Sequence, residues 1–175
     1  MTFARIARPF AAAVALLVAA CYPTLDWREV ASESGGYSVL MPAQPEHAQR
    51  EVVVGGVALA MSMASVRRDG MAFGAAYADI PAGYARPAEL LAAARDALVR
   101  NIDGRITSAR EVAIDGAAGL QFSADGHVGE RPMRLAARVF VANSRFFQVA
   151  VVEPRDRLAD ADVSLFLGSF RLLRK

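Results

Sequence analysis

Residues 50–66 read REVVVGGVALAMSMASV, and no other stretch limits the fold as much. Two extended runs flank Gly55-Gly56, and a pair of glycines supplies the positive φ that a two-residue hairpin turn demands. Along the second arm side-chain size alternates, with Val57, Leu59, Met61 and Met63 on one face and Ala58, Ala60, Ser62 and Ala64 on the other. A period of two is the period of a strand. Residues 71–79 repeat it, Met71, Phe73, Ala75 and Tyr77 opposing Ala72, Gly74, Ala76 and Ala78. The expected sheet therefore has one face of large residues, which needs a helical layer over it, and one face of small residues.

The rest of the chain divides in the same way. Gly35-Gly36 launches a strand over residues 37–41, which Pro42 ends. Extended runs follow at 105–114, 117–124, 131–141 and 146–152, punctuated by Asp115-Gly116, Asp125-Gly126 and Asn143-Ser144, and they predict an antiparallel meander. The segment RPAELLAAARDALVRNIDG is a predicted helix. Pro87 suits its first turn, Leu91, Ala94, Leu98 and Ile102 recur at helical spacing, Asp96 and Arg100 form an i,i+4 pair, and Gly104 offers a left-handed stop. A second helix over about residues 160–167 turns Val163, Phe166 and Leu167 inward. The expected fold class is α+β, an antiparallel sheet flanked by α-helices. In it, Leu91, Leu98 and Ile102 are expected on the sheet face that carries Leu59, Met61 and Phe73.

The N-terminus has another purpose. Arg5 and Arg8 precede an apolar run over residues 10–20, too short to span a bilayer as a helix but fitting a signal-peptide core. Val18-Ala19-Ala20-Cys21 resembles the bacterial lipobox, with Val18 where that pattern more often has Leu. The resemblance implies that residues 1–20 are removed and that Cys21, the single cysteine of the chain, carries the lipid. A lone thiol in an exported protein has no disulfide partner, and acylation accounts for it. Acyl chains contribute about 0.8 kcal/mol per buried methylene, so several of them hold a protein on a membrane without a transmembrane helix. Residues 21–33 then form a tether and 34–175 a single domain. Tyr22, rather than Asp, follows the cysteine, which points to the outer membrane, facing the periplasm, rather than the inner membrane.

Charge excludes one class of partner. The chain has 20 Lys+Arg and 18 Asp+Glu, and two of the basic residues lie in the leader, so the remainder is balanced at 18 against 18. A nucleic-acid binder would carry a basic excess.

The order of elements also resembles a known group. An aromatic start at Trp27, then GGYSVLMPAQP, a hairpin, YADIP, one helix, a meander and a terminal FLGSFRL, over residues 27–172, are similar to the PsbP-like small exported bacterial proteins, which include lipoproteins of the LpqN kind. That resemblance implies a PsbP-like α/β/α sandwich and, by analogy alone, a non-catalytic role. It carries no catalytic residue across.

Chemistry-bearing residues are few. His47 lies in PAQPEHAQR, a Pro-rich connection, and His127 in the DGHVGE turn, and neither has a nucleophile motif beside it, so both read as solvated loop histidines. Asp160 and Asp162 sit where a helix begins, and capping its free amides accounts for them better than acid/base pairing. Arg131, Arg134 and Arg138 lie along one run, with Arg134 and Arg138 on one face, which reads as a solvated strand face. Met61 and Met63 share a face, and with Met41, Met71 or His47 could suit Cu(I), but they lie in the expected core row. No cofactor, metal site or catalytic residue is implied. The reading is a membrane-anchored envelope lipoprotein that binds or assembles with an envelope protein partner. The small-residue face and one of Phe146 and Phe147 are the expected contact surface. The alternative is a small-molecule or lipid carrier with a cavity between sheet and helices.

Overall fold

The computed structural model describes residues 25–157 and 160–173. The signal segment 1–20 and Cys21 lie outside them. The elements in chain order are β1 (Arg28–Ser32), β2 (Tyr37–Met41), β3 (Glu46–Val54), β4 (Val57–Arg68), β5 (Met71–Asp79), α1 (Pro87–Arg100), β6 (Arg105–Ile114), β7 (Ala117–Val128), β8 (Arg131–Ala142), β9 (Arg145–Pro154), α2 (Asp160–Ser169) and β10 (Arg171–Leu172). Seven strands form one antiparallel sheet in the order β3-β4-β5-β9-β8-β7-β6, and β1-β2-β10 form a second, smaller one. Helix α1 covers one face of the large sheet. Helix α2 and the small sheet cover the other, which gives the α+β class read from the sequence.

The core is accordingly double. Beneath α1, Leu59, Met61, Phe122 and Phe146 of the sheet pack with Leu90, Leu91 and Ala94 of the helix. On the opposite face Tyr37, Val66, Phe73, Phe140, Phe147, Phe166 and Phe170 pack together. Aromatic edges and stacks join this second cluster, with Phe73 against Phe166 at 5.2 Å and Tyr37 stacked on Phe170 at 5.1 Å. The Ser169 hydroxyl accepts from the Leu40 N–H at 3.0 Å and donates to the Phe166 carbonyl at 2.7 Å, which fixes the end of α2 to β2.

Phe73 is therefore not beneath α1, as expected, but on the opposite face. The reason is the parity of a two-residue hairpin. Across the Asp69-Gly70 turn the partners are Arg68 with Met71, Val66 with Phe73 and Met63 with Ala76. Directly opposed residues share a face, so odd positions of β4 lie with even positions of β5. The large row of β4 thus continues into Ala76 and Ala78, while Phe73 joins Ala64 and Val66. Strand β4 is therefore buried on one face at one end, through Leu59 and Met61, and on the other face at the other end, through Ala64 and Val66.

Four local expectations change as well. Residues 28–32, within the stretch read as a tether, form β1, and Leu25 is already buried. Asp125-Gly126 is not a turn. Strand β7 continues to Val128, because Gly126 leaves room for the end of α1: a Cβ there would strike the Ile102 carbonyl, to which the His127 N–H donates at 2.6 Å. The left-handed residue closing α1 is Asp103, with φ 46°, and Gly104 donates from its N–H to the Val99 carbonyl at 2.9 Å. Together with the Asp103 N–H to the Arg100 carbonyl, this is the Schellman arrangement. Gly104 is small for another reason, since a Cβ would lie 2.9 Å from the Ile102 side chain. Finally, Asp96 pairs with Arg95 at 2.8 Å rather than with Arg100.

Candidate functional site

The richest concave surface lies at the end of the molecule where β1 meets β2. Hairpin parity places five segments there: the turn at 33–36, the end of β5, the β6–β7 and β8–β9 turns, and β10. Together they border an open cleft of about 1240 Å3, lined among others by Gly36, Asp79, Asp115, Asn143, Arg145 and Leu173. Asn143 and Ser144 have φ of 50° and 59°, the left-handed pair of a tight hairpin turn. Arg145 fastens the cleft. Its Nε donates to Asp79 at 2.5 Å, its Nη1 to the Ser34 carbonyl at 2.6 Å, and its guanidinium lies 5.4 Å from the centre of the Tyr77 ring. Asp115 accepts from the Leu172 N–H at 2.7 Å, and the Leu173 N–H donates to the Gly36 carbonyl at 2.9 Å. These bonds tie the small sheet to the large one.

Beside the cleft, around the same turn, is a smaller polar pocket of about 330 Å3. Its walls include Ser32, Ser34, Tyr37, His47, Gln49 and Tyr77. The Tyr77 hydroxyl donates to Ser34 at 3.0 Å. Burial pushes the Tyr37 phenol up to about 12, and the neighbouring Tyr77 adds to this, while a hydrogen bond from Ser32 opposes it. Tyr37 is therefore a neutral hydrogen-bonding group and not a base. The folded state holds the Tyr37 proton more tightly than the unfolded chain, where a tyrosine titrates near 10. Its contribution is complete below pH 10 and is lost as pH rises toward 12, up to about 2.7 kcal/mol. A Tyr37→Phe variant should flatten that part of the stability curve. An unchanged loss between pH 10 and 12 would remove Tyr37 as its cause.

A third depression, a groove of about 480 Å3, runs between α1 and the β6–β7 hairpin, with Leu91, Val112 and Leu120 in its wall.

Most residues singled out from the sequence are kept apart. His47 is on edge strand β3 opposite Ala64, not in a Pro-rich connection, and it does reach the polar pocket. His127 is exposed at the end of β7 opposite Pro132, not in a turn. Met61 is sealed under α1, whereas Met63 is half-buried and lines the mouth of the polar pocket. Met41 and Met71 are buried in the opposite cluster, so the thioethers do not converge. Among the described residues no group of three or more His, Cys, Asp or Glu could hold a metal. Phe146 and Phe147 are both buried, because β9 is central and covered on both faces.

Arg134 and Arg138 share a face of β8, as expected, but that face is not a solvated one. Arg134 donates from Nε to the buried Glu153 at 2.8 Å and from Nη2 to Asp160 at 2.6 Å. Hence Asp160 anchors the start of α2 to the sheet through a guanidinium. Arg138 donates to the Leu167 carbonyl at 2.8 Å, near the other end of the same helix. One strand thus holds both ends of α2. The roles of Arg110, Arg145, Arg171, Tyr37 and Tyr77 had no signal in the sequence, since each depends on which strands become neighbours.

No protein-family model matches this sequence, and no curated protein matches it either. Among solved structures, the chain is similar to cyanobacterial PsbP (CyanoP) from Synechocystis, with a TM-score of 0.58 and 13% identity over 85% of this chain and 93% of that one. A Pseudomonas aeruginosa protein of unknown function aligns at 7% identity and a TM-score of 0.39, over 79% of this chain and 90% of that chain, and carries no argument. The likeness to CyanoP concerns the fold alone, and it agrees with the element order and layering described above: the chain has a PsbP-like fold.

Proposed function

We propose that this chain is a bacterial envelope lipoprotein, held on the membrane by acyl chains on Cys21, whose folded part is a non-catalytic binding or assembly module. The cleft at the β1–β2 end is the surface offered to a protein partner. One observation carries this reading. Its main polar groups are already committed, Arg145 to Asp79 and to the Ser34 carbonyl and Asp115 to the Leu172 N–H, which leaves a shaped mixed surface rather than convergent reactive groups.

The geometry of anchoring supports it. Leu25 is 6% exposed and lies four positions after Cys21, a reach of at most about 14 Å. Strand β1 then runs away from that point toward the turn at 33–36, so the cleft is at the end remote from the anchor and faces the periplasm. The signal-like N-terminus supports the address, and Tyr22 supports the outer membrane over the inner.

Mutation of the cysteine tests the anchor. Cys21→Ser should abolish acylation and leave the precursor uncleaved by the lipoprotein peptidase, read by the mass of the mature N-terminus. An unmodified cysteine in the parent protein, or cleavage at another bond, would defeat the assignment. Affinity capture from membranes, with the lipid intact, tests the partner. Substitution of Arg145 by Gln should weaken that capture, and equal capture would move the contact away from the cleft.

The carrier reading has one supporting observation, the groove between α1 and the β6–β7 hairpin. Against it, the space between the layers is filled by Leu59, Leu90 and Phe122 on one side and by Phe73, Phe147 and Phe166 on the other, each no more than 2% exposed.

A further inference from the structure

The row formed by Arg110 of β6, Gln121 of β7 and Arg138 of β8 crosses three neighbouring strands in direct register. All three side chains project from the face that α2 covers, just beyond the edge of that helix. Gln121 Oε1 accepts from both sides at once, from Arg110 Nη2 at 3.1 Å and from Arg138 Nε at 2.8 Å. Arg171 approaches from the chain after α2, donating through Nη1 to the Gly168 carbonyl at 2.6 Å and the Phe170 carbonyl at 2.7 Å. Arg138 reaches the Leu167 carbonyl at 2.8 Å. Three guanidiniums thus surround the C-terminal end of one short helix.

Among the described residues their hydrogen-bond partners are all neutral oxygens. This contrasts with Arg134, two repeats of the pleat away on the same face, which is met by both Glu153 and Asp160. A helix C-terminus offers roughly half a negative charge, well short of three cations. The repulsion is felt at the most buried of them: burial lowers the affinity of Arg138 for its proton, and Arg110 and Arg171 lower it further, with no carboxylate opposing them. Each guanidinium uses only part of its five donors on protein oxygens. The remaining N–H groups are what a tetrahedral oxyanion accepts, in forked pairs.

We infer that Arg110, Arg138 and Arg171 form a binding site for a phosphate-class oxyanion. The site adjoins the cleft, which Arg171 also lines, and is independent of acylation. Its ligand is either a free phosphate group in solution or the headgroup phosphate of a lipid, and the two sources share this chemistry.

Titration calorimetry on the full-length protein in zwitterionic detergent tests it, first with inorganic phosphate and then with micelles doped with phosphatidylglycerol in phosphate-free buffer. Saturable phosphate binding is expected, with Arg110→Gln lowering the affinity about tenfold or more, the loss of one charge-assisted hydrogen-bonding group. Arg110 is exposed, so this variant keeps the fold. Arg50→Gln, on the opposite edge strand β3, removes the same charge and should leave the affinity unchanged. A saturable response confined to phosphatidylglycerol, with the same pattern of variants, would assign the headgroup as the source. No saturable response to either probe, or equal losses from Arg110→Gln and Arg50→Gln, would overturn the site.

Discussion

Phe146→Ala and Phe147→Ala should each destabilise the protein by about 3 to 5 kcal/mol, the cost of a cavity at a fully buried aromatic position. Neighbouring residues of one strand normally differ, one facing the core and one facing solvent. Here they do not. Phe146 is 0% exposed in the cluster beneath α1, and Phe147 is 2% exposed in the cluster beneath α2 and the small sheet. Phe147 also stacks on Phe140 at 5.1 Å and meets Phe170 edge-on at 5.9 Å. The rings occupy separate cores, so the losses in the double variant should add, unlike those of residues in contact. Denaturant unfolding of the full-length protein in neutral detergent measures all three. A loss under about 1 kcal/mol at either position would mean that one face of β9 is open.

A second contrast lies in α1. Leu90→Ala should cost about 2 to 5 kcal/mol and Leu98→Ala distinctly less. Leu90 is 0% exposed, whereas Leu98 is only partly buried beside the same cluster. Helical spacing selects Leu91, Ala94, Leu98 and Ile102 as one stripe, and all four pack in the cluster beneath α1, joined by Leu90 and Val99 on either side. Leu98 differs from the others in depth alone, being partly exposed in the last turn, before the end where the Ile102 carbonyl accepts from the His127 N–H over Gly126. Equal losses at Leu90 and Leu98 would show that Leu98 is sealed as deeply as Leu90.

The anchoring reading and the double core bear on each other. With both faces of the large sheet covered, the surface left for a partner is at the edges and ends of the strands. Of those ends, the one bearing the cleft lies at the far end of β1 from Leu25.

The sequence by itself determined the punctuation of this fold. Gly55-Gly56, Asp115-Gly116 and Asn143-Ser144 each sit at a hairpin turn, because a positive φ at adjacent residues is a local requirement that few residue types meet. The bounds of β2, β5 and β6 and the existence of both helices followed from period and turn chemistry in the same local way. Asp125-Gly126 has the same letters as a turn and is not one, since what fixes Gly126 is a carbonyl from residue 102, brought there by packing. The tertiary structure also decided which face of each strand is covered. A period of two states that the two faces differ, not what lies over either, and the parity that moves Phe73 away from α1 appears only when β5 is paired with β4. The arginines show the same division. Arg134 and Arg138 were legible as one face of one strand, but Arg110, 28 positions before Arg138, and Arg171, 33 positions after it, join that face only through strand register and the path of α2. Charge placed close in space by distant segments leaves no periodic trace along the chain.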